Sequence, residues 1–405
     1  MNSEKYITKA SEYLNKICSV KPNRRTGSPG NRDATDYFAN IARQFGYKID
    51  TTPFKCMDHK KKKVSLFLNG KNFNVYISPY SLKCDITAEL VAVPTVVELE
   101  KISCKGKILL MKDGICSEQL MPKNFVFYNP GHHKKIYALL EEKQPAAIIT
   151  ATAKNPELVG ALYPFPLIVD GDFDIPSVYC TDIIGRDISA HTGEIFNLTI
   201  QAERIPSTAS NVLVRKNCKS KEKIVICAHI DAYEETLGAS DNASGTVVLL
   251  LLAEMLQDYQ KSICIEIVAF NGEDHYSAGG QMDYLRRYGT EIGNIILAIN
   301  IDDVGYIEGR TAFSFYECND KLKQRLYSVF NNYSNLAEGE AWYSGDHMIF
   351  VQGGKPALAF TSEKMPELMA TITHTEKDIP DIIEVTGLVE IARALKDAIL
   401  NLCNY

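Results

Sequence analysis

The segment from Lys223 to Gly245 constrains the fold of this chain more than any other stretch. Its first part, residues 224–228, is a short apolar run rich in β-branched residues, which is typical of a strand buried on both faces. The run stops at His229, and α/β sheets bind their ligands at such strand ends. Asp241 lies just before a second apolar run, residues 246–256, whose helix formers predict a buried helix. Taken singly, His229 is better explained as a core histidine and Asp241 as a helix cap. Together, one imidazole and one carboxylate could converge on a cation.

Length and composition exclude several classes of protein. At 405 residues, the chain is too long for one ordinary domain, so we expect two. Its composition, 45% hydrophobic and 23% charged, is typical of a soluble globular protein, and its net charge of -6 argues against a nucleic-acid partner. No run approaches about 18 uncharged apolar residues, and the N-terminal stretch predicts an amphipathic helix rather than a signal peptide. We therefore expect no membrane partner. The basic run at 60–63 is interpreted as a solvated turn.

The cysteine pattern indicates a reducing compartment. The chain has 11 cysteines, an odd number that cannot all pair, and it has no Cys-x-x-Cys motif. Several of them, such as Cys227 and Cys264, fall inside apolar, strand-like runs. We interpret the cysteines as reduced core residues of a cytoplasmic protein.

The second half of the sequence alternates between strand and helix patterns. Strands are predicted at 209–214, 224–228, 262–270, 294–301 and 356–361, and helices at 246–256, 281–288, 321–333 and 382–402. This alternation predicts an α/β fold with a mixed, largely parallel central sheet flanked by helices. Nearer the N-terminus, the sequence predicts helices at 3–18 and 32–45, and a hairpin at 64–78 around an Asn-Gly turn.

Residues 85–205 differ in pattern from the second half of the sequence, because they contain short apolar runs and many prolines. We interpret them as a smaller, inserted β-rich domain without polar groups suited to catalysis. The adjacent His132 and His133 are interpreted as ordinary surface residues. The expected domain boundaries are 1–84 and 206–405 for the two parts of the main domain, and 85–205 for the insert.

Acidic residues or histidines follow the later predicted strands. Glu273 and Asp274 come after the strand at 262–270, Asp302 after the strand at 294–301, and His374 beyond the strand at 356–361. Because parallel strands end at one edge of a sheet, these side chains could meet in one cleft. The complete candidate set is His229, Asp241, Glu273, Asp274, Asp302 and His374. Carboxylates gathered in this way need cations to offset their repulsion.

The mixture of donors favours zinc or another first-row metal. Imidazole nitrogen is a usual zinc ligand, whereas magnesium and calcium prefer oxygen ligands alone. The set is large enough for two three-residue groups tied by a shared carboxylate, which predicts two ions that activate one water. A carboxylate that is not a ligand must then accept the proton of that water. Of the neighbours Glu273 and Asp274, one could bind metal while the other shuttles protons.

Several motifs together resemble one family. His229-Ile230-Asp231 is similar to an HxD motif, and residues 238–245, GASDNASG, are close to GAxDNASG. The other matching segments are 272–274 (GED, for GEE), 300–305 (NIDDVG, for NxDMxG), 344–347 with 354–357 (SGDH…GKPA, for SDHxxF…GxPA) and 373–378 (THTEKD, for HTxxD). This pattern resembles the co-catalytic zinc exopeptidases of the aminopeptidase Y and aminopeptidase S type, whose relatives include glutamate carboxypeptidase and glutaminyl cyclase.

The resemblance implies a role for each position. Asp241 would bridge two zinc ions, for which Co²⁺ or Mn²⁺ could substitute. The ligands that would complete the two sites are His229 and Asp302 for one, and Asp274 and His374 for the other. Glu273 would be the general base, and Asp231 would fix the tautomer of His229. The peptide bond after Asp241 is expected to be cis.

Three departures and one insertion qualify the resemblance. Asp274 is shorter than the glutamate of the family motif, and His275 and His347 are additional histidines that the resemblance places beside the site, where they would contact substrate or the ligands. Residues 85–205 resemble a protease-associated domain, which would limit the size of the substrate.

The expected activity is that of an aminopeptidase, which hydrolyses N-terminal peptide bonds of peptides with a water held by two zinc ions. Trp342 and Tyr343 could line its side-chain pocket. A carboxypeptidase or dipeptidase specificity on the same site stays open. A glutaminyl-cyclase-like acyl transferase is a second alternative, but those enzymes bind one zinc and lack the histidine that His229 supplies. A non-catalytic binding protein would be expected to have lost ligands, and every expected position is filled. The sequence gives no indication of the oligomeric state.

Overall fold

The computed structural model describes residues 3–154 and 162–403. They form two compact units. The first unit comprises Met1–Cys56, Thr208–Leu368 and Ile372–Tyr405, and the second comprises Met57–Ser207 and Met369–Thr371. The assignment of residues 85–205 to a protease-associated-like insert stays a prediction. Within the described ranges, no helix is both long enough and apolar enough to span a membrane.

The helices predicted from the sequence all form, with ends within a few residues of the expected ones. In chain order they are α1 Ser3–Cys18, α2 Pro29–Gln44, α3 Val96–Lys101, α4 Gly131–Lys143, α5 Asp182–Ser189, α6 Gly245–Met255, α7 Gly279–Tyr288, α8 Asp320–Phe330, α9 Met348–Gln352, α10 Met365–Thr371 and α11 Val385–Leu402. Helix α2 starts earlier than expected because Ser28 accepts a hydrogen bond from the Asn31 amide and Pro29 fits the first helical position. Helix α6 is buried along its whole length, as its apolar composition predicted.

The strands include two long ones. In chain order they are β1 Lys48–Leu68, β2 Lys71–Phe73, β3 Tyr76–Ile77, β4 Cys84–Val93, β5 Ile108–Met111, β6 Ala147–Thr152, β7 Ser177–Thr181, β8 Ile195–Lys216, β9 Lys223–His229, β10 Cys264–Phe270, β11 Ile295–Ile301, β12 Thr311–Tyr316, β13 Leu336–Glu338 and β14 Ala357–Ser362. The hairpin of β1 and β2 confirms the Asn-Gly turn, with Leu66 opposite Phe73.

The sheet of the first unit positions the site. Its order is β13-β12-β14-β11-β9-β10-β8. The four strands from β14 to β10 run parallel, and antiparallel β12 and β8 flank them. This confirms the mixed, largely parallel sheet. Its core includes buried side chains of α1, α2, α6 and α11. Because β9 lies between β11 and β10, the carboxyl ends of three parallel strands adjoin one another.

The second unit has its own sheet. Strands β4, β5, β6 and β7 run parallel in that order, with antiparallel β3 on β7 and residues 195–200 of β8 antiparallel to β4. Alternate residues of β5 belong to two separate apolar clusters: Leu109 and Met111 to one, Ile108 and Leu110 to the other. Since successive side chains of a strand point to opposite faces, both faces of this sheet are covered.

Three expectations from the sequence are wrong. The lysine run at 60–63 lies inside β1 rather than in a turn; exposed lysines are compatible with a strand, and Lys62 pairs with Glu203 at 3.3 Å. Cys264 is not reduced, because it forms a disulfide with Cys218. The two are 46 residues apart, so their pairing depends on the fold and has no local signal. His133 is not a surface residue, since helix α4 turns it inward and buries it.

Candidate metal centre

The carboxyl ends of three neighbouring strands supply most of the candidate ligands. His229 is the last residue of β9, and Asp302 directly follows β11. Glu273 and Asp274 lie in the turn after β10, whose last residue, Phe270, is opposite His229 in the sheet register. The parallel register therefore brings these four side chains to one edge, as the sequence predicted.

Asp241 comes from the irregular turn Ala239–Ser244, which precedes α6. Its peptide bond to Asn242 is cis, in agreement with the expectation. The turn is held from behind by Asp378, whose carboxylate accepts the amide hydrogens of Ser240 at 2.7 Å and Asp241 at 3.2 Å. Burial raises the pKa of Asp378 to about 6. These hydrogen bonds fix the backbone that presents the Asp241 carboxylate.

His374 is supplied by the loop after α10, where its backbone adopts a left-handed φ of 63°. Its imidazole stacks on the ring of Tyr233, with 4.5 Å between ring centroids and 19° between ring planes. Tyr233 belongs to the loop that joins His229 to Asp241. The stack therefore sets the plane of the His374 ring relative to the other candidate ligands.

Asp241 presents one carboxylate oxygen to each histidine. Its Oδ1 lies 3.1 Å from Nε2 of His229, and its Oδ2 lies 3.1 Å from Nε2 of His374. A second carboxylate completes each group: Asp302 Oδ1 is 3.4 Å from Nε2 of His229, and Asp274 Oδ1 is 3.2 Å from Nε2 of His374. Donor atoms that share a zinc ion at about 2.0–2.2 Å have separations of this size.

The donor set fits two zinc ions. Each group offers one imidazole nitrogen and two carboxylate oxygens, as in zinc sites that keep a position open for water. Oδ1 of Asp302 and Oδ2 of Asp274 are buried without a hydrogen-bond partner in the described part of the chain. Buried carboxylate oxygens without donors call for a cation. Asp274 reaches its histidine despite being one methylene shorter than the glutamate of the family motif.

The carboxylates dominate the electrostatics of both histidines. Burial alone lowers the pKa of His229 and of His374, but the surrounding carboxylates, chiefly Asp302 for His229 and Asp274 for His374, raise each pKa well above its ordinary value. A dication would satisfy the same carboxylates and leave both rings neutral, as metal ligation requires.

Glu273 is half-buried in the turn that also carries Asp274. Burial raises its pKa well above the ordinary range. His229 opposes this shift, while the neighbouring carboxylates of Asp274 and Asp302 add to it. A carboxyl group with a raised pKa next to a metal-bound water is suited to proton transfer near neutral pH.

Asp231 is fully buried behind His229, but it does not make the expected hydrogen bond to the ring. Its Oδ1 lies 3.6 Å from His229 Nδ1, which has no hydrogen-bond partner among the described residues. Instead, the carboxylate accepts hydrogen bonds from Thr26 and from the turn that carries Glu273. Burial raises the pKa of Asp231, and the neighbouring His229 and these hydrogen bonds lower it to a net value below the usual range.

An N-terminal segment supports the site, and this support was not predicted from the sequence. Residues 22–31 lie between the two predicted N-terminal helices and were assigned no role in the site, but Arg24 is only 2% exposed. Its guanidinium donates hydrogen bonds to the carbonyls of Ile230, Leu237 and Gly238, in the loop between His229 and Asp241. Gly238 has a φ of 58°, and a Cβ there would lie 2.8 Å from Arg24 Nη2. The two consecutive arginines at 24 and 25 were the available signal.

The additional histidines near the motifs do not belong to the two ligand groups. His275 Nδ1 contacts Ser277 Oγ at 2.9 Å. His347 is buried, and its ring donates to the carbonyl of Trp342 at 3.1 Å. Burial lowers its pKa to about 4, so the ring is neutral at pH 7. Tyr343, which was expected to line the side-chain pocket, is 73% exposed.

A second cluster of residues of the kinds that bind metal ions lies in the second unit. Glu118 Oε1 is 2.7 Å from Nε2 of His132 and 3.1 Å from Nε2 of His133. However, the Met121 amide donates to Nδ1 of His133, so the neutral ring carries its hydrogen on Nε2. The atom that faces Glu118 is therefore a donor rather than a free lone pair. The carboxylate satisfies this cluster without a metal ion.

Comparison with known proteins agrees with this site. Residues 211–399 match the family described as peptidase family M28. The chain is 24% identical over 291 residues to a probable lipoprotein aminopeptidase, LpqL, of Mycobacterium tuberculosis, an alignment that covers 69% of this chain and 54% of that protein. The chain thus spans about half the length of this curated relative.

Two solved structures share the fold over nearly the whole chain. An aminopeptidase from Aneurinibacillus sp. strain AM-1 has a TM-score of 0.73 at 21% identity, covering 97% of this chain and 93% of that one. BSAP, a zinc aminopeptidase from Bacillus subtilis, has a TM-score of 0.74 at 18% identity, covering 98% and 95%. At these identities the likeness shows the fold.

The fold is thus shared with two solved aminopeptidases. The segment that carries every candidate ligand, residues 211–399, matches peptidase family M28.

Proposed function

We propose that the protein is an aminopeptidase that binds two zinc ions and hydrolyses N-terminal peptide bonds. One observation carries the proposal: the two oxygens of Asp241 face two different imidazole-carboxylate groups, each at 3.1 Å from a histidine Nε2. A single-metal enzyme would need only one such group. The resemblance of the motifs, the family match and the aminopeptidase relatives support the same reading.

Each predicted ligand keeps its proposed role. His229 and Asp302 would hold the first ion, Asp274 and His374 would hold the second, and Asp241 would offer one carboxylate oxygen to each. When bound, the two ions would lower the pKa of a shared water and stabilise negative charge on the substrate carbonyl. Co²⁺ or Mn²⁺ could take the place of zinc in such a donor set.

Glu273 is proposed to move the protons. It lies beside the ligands but outside both groups, so its carboxylate is free to accept a proton from the attacking water and to deliver it to the leaving amine. Burial raises the pKa of Glu273, which favours retention of that proton until the leaving amine accepts it. Asp378 and Arg24 do not transfer protons. They fix the loops that present Asp241 and the His229 end of the site.

The test combines metal content with hydrolysis. Purified protein should contain two zinc ions per chain and release the N-terminal residue from peptides and amino-acid anilides. Glu273→Gln should retain both ions and lower kcat by about 10²–10⁴-fold, the range expected when a general base is removed. The matched control is Glu12→Gln, on the exposed side of α1, which should leave kcat unchanged. Retention of full activity by Glu273→Gln would disprove the assignment of the base.

A panel of blocked peptides distinguishes the alternatives. An aminopeptidase should lose activity when the N-terminus is acetylated and keep it when the C-terminus is amidated. The opposite result would indicate a carboxypeptidase, and restriction to dipeptides would indicate a dipeptidase. Formation of pyroglutamate from a glutamine-terminated peptide without hydrolysis would replace the proposal by acyl transfer.

The cytoplasmic location is likewise a proposal. A reducing cytosol would keep the Cys218–Cys264 pair as thiols, whereas the structure shows them bonded. Mass spectrometry of protein alkylated in its own cells before lysis decides the point. Two alkylated thiols at these positions support the cytoplasm, and an intact disulfide contradicts it.

A further inference from the structure

We propose that Asp231 is a positioning residue for Glu273, which it serves by holding the backbone on both sides of that residue. The inference concerns the way the site is assembled, and its kinetic test rests on the proposed function. It differs from the tautomer-fixing role that the family resemblance implies for Asp231.

The hydrogen bonds of Asp231 carry the proposal. Its Oδ1 accepts the amide hydrogen of Gly272 at 2.8 Å, and its Oδ2 accepts that of Asp274 at 3.2 Å. These two amides immediately precede and follow Glu273. One carboxylate thus spans a three-residue turn. The middle residue of this turn, Glu273, is the proposed proton carrier, and the third, Asp274, is a proposed metal ligand.

The contact with His229 is weaker than the contacts with the turn. The ring Nδ1 is 3.6 Å from Oδ1 of Asp231, beyond hydrogen-bond distance, and it has no partner within the described ranges. The Asp231 carboxylate therefore accepts hydrogen bonds from the turn after β10, whereas it lies near the His229 ring without a hydrogen bond to it.

A third donor completes the arrangement. Thr26 Oγ1 donates to Oδ2 of Asp231 at 2.8 Å, from the N-terminal segment that also holds the metal-site loop. Asp231 is 0% exposed, and a buried carboxylate needs such charge-assisted hydrogen bonds on both oxygens. The turn itself needs this restraint, because Gly272, at a φ of 92°, has no Cβ to limit the other conformations that its backbone could adopt.

Amide hydrogen exchange tests the contact without any metal or substrate. In the zinc-free protein, Asp231→Asn keeps the shape of the side chain but replaces one acceptor oxygen by an NH₂ donor that faces a backbone N–H. We expect exchange at residues 272–274 to rise by about tenfold or more, because a buried amide loses its partner. Thr26→Val removes the hydroxyl that donates to Oδ2 and leaves the Asp274 amide as a donor to that oxygen, and we expect an intermediate rise of about threefold.

The matched control is Thr311→Val. Thr311 is also buried in the first unit, and its hydroxyl has no hydrogen-bond partner in the described part of the chain. Its substitution should leave exchange at 272–274 unchanged. If Asp231→Asn does not fold, Thr26→Val against Thr311→Val decides alone. Equal exchange in these two variants would overturn the proposal.

Kinetics at saturating zinc separate positioning from tautomer control. We expect Asp231→Asn to bind two zinc ions, to keep KM within about twofold, and to lose kcat by about 100-fold, the cost of misplacing a reacting group by about 1 Å. If Asp231 acted only through His229, zinc affinity would fall, kcat would recover at saturating zinc, and exchange at 272–274 would not change. That result refutes the inference. A wild-type protein without peptidase activity would instead refute the proposed function, and the exchange experiment would still decide the role of Asp231.

Discussion

The buried ring of His347 predicts a specific dependence of stability on pH. The ring donates from Nε2 to the carbonyl of Trp342, and its Nδ1 lies 3.5 Å from Nδ2 of the Asn300 side chain. A second proton would have to sit on Nδ1, facing another donor, in a site that excludes water. Burial accordingly lowers the pKa of His347 from 6.5 to about 4.

The sign and size follow from this shift. Between pH 6.5 and 4, the unfolded chain binds a proton that the folded protein refuses, so the stability contributed by the neutral ring is complete above pH 6.5 and is lost as the pH falls. From pH 7 to pH 5, a ring with these two pKa values loses about 2 kcal/mol of unfolding free energy.

Urea unfolding at pH 7, 6 and 5 measures the effect. His347→Asn removes the titrating group, so the change in unfolding free energy between pH 7 and pH 5 should be about 2 kcal/mol smaller than in the wild type. Thr311→Val changes a buried side chain that does not titrate and serves as the control, with a pH dependence equal to that of the wild type. A His347→Asn curve parallel to the wild-type curve at all three pH values would contradict this prediction.

Three further predictions concern the support of the site and its metal. Arg24→Met leaves three carbonyls without their buried donor and should lower the unfolding free energy by at least about 3 kcal/mol, whereas Arg43→Met, at an exposed arginine of α2, should cost about 1 kcal/mol or less; equal losses in urea unfolding would contradict this. Tyr233→Leu should weaken binding of one zinc ion by removing the ring that stacks on His374, while Tyr233→Phe should not, as calorimetry would show; equal affinities in both variants would refute it. Since carboxylates raise the pKa of His229 and His374, protons compete with zinc, so zinc affinity should fall as the pH falls, by up to about tenfold per pH unit for each protonated ring. A pH-independent affinity would show that the rings are already neutral.

Periodicity and strand-end positions made the main fold and the convergence of the site predictable. The β-branched apolar run before His229 predicted a buried strand, and because parallel strands end at one edge of a sheet, Asp302 and the Glu273-Asp274 pair were expected near it. The long apolar segment after Asp241, with its helix formers, predicted a buried helix. These predictions depend on local sequence pattern and on the geometry of parallel sheets, and the structure has that geometry.

The supporting contacts could not be predicted because they join residues that are distant in sequence. Arg24 contacts carbonyls more than 200 positions away, and a backbone carbonyl has no sequence signature. Thr26 and Asp231 are paired in the same way. The disulfide between Cys218 and Cys264 was missed because burial in an apolar strand indicates a free thiol as readily as a bonded one. The lysine run at 60–63 was misplaced because charge predicts exposure, which a strand also permits.

The most direct test of the central claim is the zinc content of single-ligand variants. The proposed centre holds two separable ions that share Asp241. The wild-type protein should bind two zinc ions per chain, and His229→Ala and His374→Ala should each retain one, measured by mass spectrometry of the metal after removal of free zinc. Asp241→Ala should retain neither with high affinity. A single zinc ion in the wild type, or loss of both ions in each histidine variant, would contradict a two-ion centre bridged by Asp241.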